Sequence, residues 1–336
     1  MKKIFLFVAV VLAQIACKEN IDELRINTVN SSIKASEMGK TLIHEHILVD
    51  FIGADKTGFH RWNRTDVIQK VTPYLKELKK IGVNTLFECT PAYLGRDVVL
   101  LKMLSERTGI KIISNTGLYG AVDNKYIPAY AFEISADSLA SMWVEEFENG
   151  IEGSDIKPGF IKISVDTMSV LSEIDEKIVK AAILTHKKTG LTIVAHTTAD
   201  DPAFAQLDLL SQMGISPSAW VWTHAGECSS EGRLKAAKQG AWISIDNINA
   251  EELDENLRIL KELKSAGYLN QTLISHDAGW YDPDEIDGGE FRGFTDIFTH
   301  LIPALLENEF SQEDINQLLI ENPQKAYSIN IKGLAQ

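Results

Sequence analysis

Cysteine is scarce in this sequence: three of its 336 residues are cysteines. That number is too small for a disulfide framework, so the packing of an apolar core must hold the fold together. Positive charge is in deficit as well, because 33 lysines and arginines face 47 aspartates and glutamates, for a net charge of −14. The sequence after its first residues contains no basic block. We therefore expect no nucleic-acid partner.

Long apolar runs are missing too. The main one, residues 4–16, follows two lysines and is shorter than the roughly 20 residues of a membrane-spanning helix. It ends at the small residue Ala16, directly before Cys17, which is typical of an export signal over residues 1–17. We predict an exported protein, periplasmic or held at the cell envelope by a lipid anchor at Cys17. Gln14 stands where lipoprotein signals usually carry an aliphatic residue, and a buried N-terminal helix is the alternative.

Eight short β-rich segments alternate with longer segments of helical apolar spacing. Their starts span seven intervals over 231 residues, or 33 residues each on average, which leaves room for a crossover helix between parallel strands. This pattern predicts an α/β fold, a single-domain (β/α)8 TIM barrel. A doubly wound sheet is the alternative, but no Gly-x-Gly-x-x-Gly follows the first strand. The predicted strands are residues 41–47, 83–89, 111–116, 160–165, 191–196, 219–224, 241–246 and 272–276.

The chain has eight histidines, and five of them fall at or near the carboxyl ends of predicted strands. In a barrel, that end carries the active site. His44 and His46 are two residues apart on a strand, so both side chains point the same way and can reach one metal ion. Two surface histidines on an edge strand would look the same. The other three are His196, His224 and His276.

Lys162 and Asp277 add two charged groups to the same end. Lys162 interrupts an apolar strand, where an unpaired ammonium is costly. Either its side chain extends to the rim, or its amine reacts with carbon dioxide to give a carbamate that bridges two cations. Asp277 is either a turn former or a metal ligand and proton acceptor. Such nitrogen and oxygen ligands suit zinc, with manganese, cobalt or iron as substitutes.

The order and strand placement of these residues resemble those of phosphotriesterase-related proteins of the amidohydrolase superfamily. The likeness covers nearly the whole chain after the predicted signal. It rests on Ile43-His44-Glu45-His46, Gly95-Arg96-Asp97, Thr116-Gly117-Leu118-Tyr119, Phe160-Ile161-Lys162, Ala195-His196-Thr197, Thr223-His224, Ser275-His276-Asp277 and Asn322-Pro323.

The resemblance implies that residues 18–336 form a binuclear metal-dependent hydrolase domain. A hydroxide that bridges the two metal ions would attack a carbonyl or phosphoryl group, and Asp277 would accept the proton. His276 is then left over, and we interpret it as structural. The implied ligands are His44, His46 and Asp277 for the more buried ion, His196 and His224 for the more exposed ion, and carboxylated Lys162 as the bridge.

Two positions depart from the organophosphate-degrading members of that family. Asn247 follows Asp246 where those members carry a histidine of a proton relay; Asn cannot titrate, and Glu227 offers another route. Tyr119 stands where they carry tryptophan and where lactonase-like members often carry tyrosine; a core tyrosine is the alternative. The two departures favour a lactone or other carboxylic ester over a phosphotriester. A non-catalytic surface lipoprotein that binds a small ligand is a third hypothesis.

The remaining predictions concern the substrate. We expect a small-molecule ester or lactone, contacted by Tyr119, Trp280 and Arg292 from the loops around the site, with Arg292 suited to an anionic group. Asp277, Lys162 and Tyr119 are the predicted catalytic residues. The sequence leaves open whether the protein forms a homodimer.

Overall fold

The computed structural model describes residues 23–334. The predicted signal over residues 1–17 and the predicted lipid anchor at Cys17 lie outside these residues, so both stay predictions. Within the described part, no helix combines the length and the apolar character needed to cross a membrane.

Twelve β-strands occur in the described residues. A short antiparallel hairpin precedes the strands that the sequence predicts, and one extra strand follows them. The strands are β1 (Arg25–Asn27), β2 (Ser32–Lys34), β3 (Thr41–Leu48), β4 (Thr85–Glu88), β5 (Lys111–Ile113), β6 (Asn115–Thr116), β7 (Phe160–Ser164), β8 (Ile193–His196), β9 (Trp220–Thr223), β10 (Trp242–Ile245), β11 (Thr272–Ile274) and β12 (Gly279–Tyr281).

Eleven α-helices occur in the same residues. They are α1 (Arg64–Lys80), α2 (Val98–Thr108), α3 (Ala129–Glu133), α4 (Ala136–Asn149), α5 (Glu173–Thr189), α6 (Asp200–Gln212), α7 (Ser230–Gln239), α8 (Leu253–Ser265), α9 (Ile302–Glu307), α10 (Gln312–Asn316) and α11 (Asn322–Tyr327). Two π-helical segments, Ile297–Leu301 and Gln317–Glu321, lead directly into α9 and α11.

The barrel strands pair in parallel, in the order β12-β3-β4-β5 and β6-β7-β8-β9-β10-β11. Ser114 alone separates β5 from β6, so these two form the third barrel strand. At the other seam the Asp277 amide donates to the His44 carbonyl at 3.0 Å, and the His46 amide donates to the Ala278 carbonyl at 2.8 Å. The cylinder is therefore closed, and the predicted single-domain (β/α)8 barrel is confirmed.

Helix α5 illustrates how the sequence sets a helix between two strands. The Ser172 side chain accepts a hydrogen bond from the Asp175 amide and so caps the first turn, which is rich in acidic residues that suit the positive end of the helix. The helix ends at Thr189, and Gly190 directly after it adopts the left-handed conformation that is typical of a helix C-terminus. Its apolar face, which includes Ile174 and Ile178, is buried.

The barrel interior is apolar at its amino end. One residue from each barrel strand packs there, and Ile26, Met38 and Tyr327 close the bottom. The Tyr327 and Phe87 rings lie 4.2 Å apart between centroids. The eight strand residues are Ile43, Phe87, Ile113, Phe160, Val194, Val221, Trp242 and Leu273.

The alternation of side chains along β3 is interrupted between the apolar interior and the carboxyl end. Ile43 packs in the apolar interior, yet His44, the next residue, also faces the barrel axis. Successive residues of a regular strand point to opposite faces, so a local irregularity is required. The pairing of β3 with β4 shifts register between Leu42 and Glu45, which supplies it.

Candidate metal centre

The six residues expected to bind metal come together at the carboxyl end of the barrel. Asp277 lies at the centre: its Oδ1 is 3.0 Å from His46 Nε2 and 3.6 Å from His44 Nε2, and its Oδ2 is 3.7 Å from His224 Nε2. The His196 ring packs against the His224 ring with centroids 4.2 Å apart. The Lys162 Nζ lies 3.2 Å from His44 Nε2.

The donor atoms fit a metal ion in chemistry and in spacing. His44, His224 and Asp277 offer ligand atoms that all lie within 4.8 Å of one another. The Nε2 atom of His224 is buried and makes no hydrogen bond to the described part of the chain. A buried polar atom without a partner is costly, and a bound cation would satisfy it. Imidazole nitrogens with a carboxylate suit zinc and similar divalent ions.

Lys162 is 1% exposed, and its one hydrogen-bond contact within residues 23–334 is the His44 ring nitrogen. No carboxylate of these residues pairs with its ammonium group. A buried ammonium beside an imidazole is unfavourable, since no carboxylate of the described residues neutralises its charge. A carbamate at this position would replace that positive charge by a negative one, next to donor atoms that suit cations.

At His44, His196 and Asp277 the electrostatics favour the protonation states that bind metal. The pKa of His224 is instead raised, because Asp246 outweighs the lowering effect of burial. Burial and, after it, the charge of Lys162 lower the pKa of His44 to about 4, and burial together with His224 holds the pKa of His196 well below its usual value. Burial by itself raises the pKa of Asp277, but the neighbouring imidazoles bring it far below the usual range. Neutral imidazoles and an ionised carboxylate are the ligating forms.

A layer of polar residues behind the ligands escaped the sequence prediction. The Asp246 carboxylate accepts a hydrogen bond from His44 Nδ1 at 2.7 Å. The Thr90 hydroxyl lies 2.8 Å from His46 Nδ1 and donates to Glu88 at 2.5 Å. Burial raises the pKa of Glu88 to about 7. The sequence signal that could have predicted these residues is a carboxylate at the carboxyl end of an otherwise apolar strand, as in Glu88 and Asp246.

Glu45 and His276 hold the loop that presents Asp277. Glu45 Oε1 accepts hydrogen bonds from the Ser275 hydroxyl at 2.8 Å and from the His276 amide and Nδ1 at 3.0 and 2.8 Å, and its Oε2 accepts from the Ala278 amide. His276 Nε2 in turn accepts from the Ile297 amide. Both ring nitrogens of His276 are thus used in loop contacts outside the cluster, in agreement with a structural role.

Two glycines allow loop backbone to lie against the strands that carry the ligands. A Cβ atom on Gly117, at φ 125°, would lie 1.9 Å from the Lys162 carbonyl oxygen. A Cβ atom on Gly279, at φ 107°, would lie 1.8 Å from the His46 carbonyl oxygen. Since no side chain fits at either distance, glycine is required at both positions.

A cavity of about 150 Å³ opens beside the cluster. Tyr119 and Trp280 line it, and the Tyr119 hydroxyl is 3.2 Å from His196 Nε2. Arg292 lies elsewhere: its guanidinium donates to the carbonyls of Ile248 and His276 at 2.9 and 3.3 Å. The cavity walls besides the cluster residues are Val49, Phe51, Leu94, Tyr119, Val122, Tyr126 and Trp280.

Asn247 and Glu227, the two positions considered for proton transfer, lie on the side of His224 that is turned away from Asp277. The Asn247 amide donates to Glu252 at 3.0 Å, away from Asp277. Glu227 Oε1 is 3.8 Å from His224 Nδ1, and its side chain is half exposed. Glu227 therefore connects the cluster to solvent, whereas Asn247 does not contact Asp277.

A closed (β/α)8 barrel with four histidines, a lysine and an aspartate at the carboxyl ends of its strands defines the class of protein, a metal-dependent hydrolase. The profile of the Phosphotriesterase family matches residues 24–327. The chain belongs to this family, which confirms the resemblance seen in its motifs.

Individual relatives agree with this assignment. The chain is 28% identical to the Aryldialkylphosphatase of Saccharolobus solfataricus, over 88% of this chain and 97% of the relative. It is 28% identical to the Phosphotriesterase homology protein of Escherichia coli (86% and 98%) and 25% identical to the N-acetyltaurine hydrolase of Mus musculus (90% and 97%). These names support a hydrolase and differ in the compound hydrolysed.

Proposed function

We propose that this protein hydrolyses small, uncharged carboxylic esters, above all lactones, at a centre of two divalent metal ions with zinc as the first candidate. The ligands proposed are the six residues of the cluster, with Lys162 as a carbamate. When bound, the two ions would polarise the carbonyl oxygen of the substrate and lower the pKa of a water molecule. The family assignment supports catalysis over a non-catalytic surface lipoprotein. Export and a lipid anchor at Cys17 remain part of the proposal.

The observation that carries the proposal is the cavity beside the cluster. Its volume of about 150 Å³ is small compared with the roughly 300–1,000 Å³ of pockets for drug-sized ligands. A lactone presents one compact ring to the cluster, whereas a phosphotriester must place three substituents around its phosphorus atom. A small cavity therefore suits the lactone better.

The charge of the cavity supports an uncharged substrate. Of the described residues that line it, Lys162 is the one with a cationic side chain, and it belongs to the cluster. Arg292, suited in principle to an anionic group, is engaged with two backbone carbonyls. Apart from the proposed metal ions, an anionic substituent in this cavity would lose its hydration without gaining a counter-ion from the wall. The sulfonate of N-acetyltaurine, the compound in the name of one relative, has no matching group here.

The chain supplies a proton acceptor and a hydrogen-bond donor. The Asp277 side chain is 20% exposed, and the neighbouring imidazoles keep its carboxylate ionised. Its role as proton acceptor is proposed from its position at the centre of the cluster, since a low pKa by itself weakens a base. Burial raises the pKa of Tyr119 well above its usual value, so the hydroxyl keeps its proton. It lies in the cavity wall, where it can donate a hydrogen bond to a substrate oxygen.

Phosphotriester hydrolysis is the second candidate, favoured by the similarity to an Aryldialkylphosphatase along nearly the whole chain. The same metal chemistry can polarise a phosphoryl oxygen. The cavity size, Tyr119 and the absence of a titrating group at Asn247 rank this candidate below the lactone.

A hydrolysis screen with metal analysis tests the ranking. The purified mature protein would be loaded with zinc or manganese and assayed with γ- and δ-lactones, aryl esters and a dialkyl aryl phosphate. We expect close to two metals per chain and a kcat/KM for the best lactone that exceeds that for the phosphotriester by about a hundredfold, which equals roughly 2.7 kcal/mol.

Two outcomes would contradict the proposal. A kcat/KM for the phosphotriester that is higher than that for the best lactone would favour phosphotriester hydrolysis as the function. Fewer than about one metal per chain together with no turnover would exclude both, since the nucleophile depends on the bound metal.

A further inference from the structure

One buried carboxylate contacts two histidines that belong to different predicted metal sites. Asp246 directly follows β10 and is 1% exposed. Its Oδ2 accepts from His44 Nδ1 at 2.7 Å, and its Oδ1 accepts from the His224 amide at 2.9 Å. By the family resemblance, His44 binds the more buried ion and His224 the more exposed one.

The contact with His44 determines which ring nitrogen faces the metal. An ionised carboxylate only accepts hydrogen bonds, so Nδ1 of His44 carries the proton and Nε2 keeps its lone pair. Nε2 points into the cluster, 3.6 Å from Asp277 Oδ1. Asp246 therefore holds this imidazole in the tautomer and orientation that a metal requires.

The contact with His224 works through the backbone. His224 has a φ of 64°, a left-handed conformation that is uncommon for residues other than glycine. The hydrogen bond from its amide to Asp246 stabilises this turn after β9, and the turn aims the ring at Asp277. The ring Nδ1 also lies 3.3 Å from Asp246 Oδ1.

The carboxylate itself is held in place independently of the two rings. The Ser244 hydroxyl donates to Oδ2 at 3.1 Å; Ser244 lies on β10, and Asp246 follows the last residue of that strand. His46, by contrast, has its own partner in Thr90. Thr90 thus contacts one predicted metal ligand, whereas Asp246 contacts two.

We propose that Asp246 is a positioning residue that orients His44 and His224 together, so that the affinities for the two metal ions depend on one carboxylate. The inference rests on the proposed metal centre. Asp246→Asn keeps the size of the side chain but removes the negative charge that lies beside both histidines and replaces one acceptor oxygen by an amide donor. Thr90→Val removes the contact behind His46 alone.

The test measures Zn²⁺ binding to the metal-free full chain, by competition with a chromophoric chelator, for wild type, Asp246→Asn and Thr90→Val. We expect Asp246→Asn to weaken both Zn²⁺ dissociation constants by about 10- to 100-fold, and Thr90→Val to weaken one of them. A merely structural role predicts a lower unfolding free energy with unchanged Zn²⁺ constants, which would overturn the inference. Weakening of a single constant in Asp246→Asn would overturn it too.

Ser244→Ala is the second variant should Asp246→Asn not fold. It removes one donor to the carboxylate, and both Zn²⁺ constants should weaken by a few-fold; weakening of one constant or of neither contradicts the coupling. A wild-type chain that binds fewer than two Zn²⁺ ions also overturns the inference. A screen without ester turnover, alongside normal Zn²⁺ binding, would overturn the proposed function and leave the role of Asp246 standing.

Discussion

The two ends of the barrel consist of the same strands and differ in almost every chemical respect. Phe160 packs in the apolar amino end, and two residues further along β7 Lys162 lies among the candidate metal ligands. On β8, Val194 packs in the interior and His196 lies in the cluster. Two residues along a strand keep a side chain on the same face and move it roughly 7 Å up the barrel axis.

This difference shows how stability and function are separated in one core. The apolar end excludes water and contributes burial energy, whereas the cluster buries imidazoles and charged groups whose desolvation is unfavourable. The cluster should therefore be replaceable without unfolding the barrel. The apolar end should be a place where substitutions change stability with little effect on chemistry.

The largest expected effect comes from Lys162→Met, which exchanges a buried ammonium for an apolar side chain of similar length. We expect kcat/KM for the best ester to fall on the order of ten-thousandfold, about 5 kcal/mol, with loss of bound metal. The unfolding free energy of the metal-free chain should stay equal or rise, because an uncompensated charge is removed. Metal analysis, kinetics and urea unfolding measure the three quantities. A variant that keeps two metals and its activity would refute the bridging role.

Phe160→Ala removes an aromatic side chain from the apolar, amino end of β7. It should lower the unfolding free energy by about 3–5 kcal/mol, because a buried aromatic ring is replaced by a cavity. Activity of the folded protein, measured well below its melting temperature, should stay within about twofold of wild type. Phe59→Ala is the control, since Phe59 is half exposed and the change should cost no more than about 0.5 kcal/mol. A large loss of activity in folded Phe160→Ala would show that the ends are coupled.

A smaller effect concerns His186, a buried residue near the end of α5 on the amino side of the barrel. Burial lowers its pKa to about 4, while Nδ1 donates to the Leu191 carbonyl and Nε2 accepts from the Lys332 amide. The unfolded chain therefore binds more protons between pH 6.5 and pH 4. The stabilising contribution of neutral His186 is complete above pH 6.5 and is lost as the pH falls from 6.5 to 4.

Urea unfolding of the metal-free chain at pH 7 and pH 5 measures this contribution. The wild type should lose about 2 kcal/mol more than His186→Gln between the two pH values, because glutamine does not titrate. Equal losses in both proteins would mean that His186 titrates normally in the folded state.

The sequence predicted the eight barrel strands because each is a local apolar pattern, and it predicted the six cluster residues because strand ends share one face of a barrel. It missed the register shift near Ile43, since the alternation of side chains along a strand does not reveal a bulge. It also missed the contact between Asp246 and His44, which lie 202 residues apart. No local pattern encodes a contact at that separation.

By itself, the sequence determined the class of fold, the family and the set of residues at the carboxyl end, because these follow from periodicity, residue type and motif order. The tertiary structure alone decided which carboxylate lies behind each imidazole, where the Arg292 guanidinium is engaged and how small and apolar the cavity is. Those properties depend on distances between residues from different strands and loops, and such distances exist only once the barrel has closed.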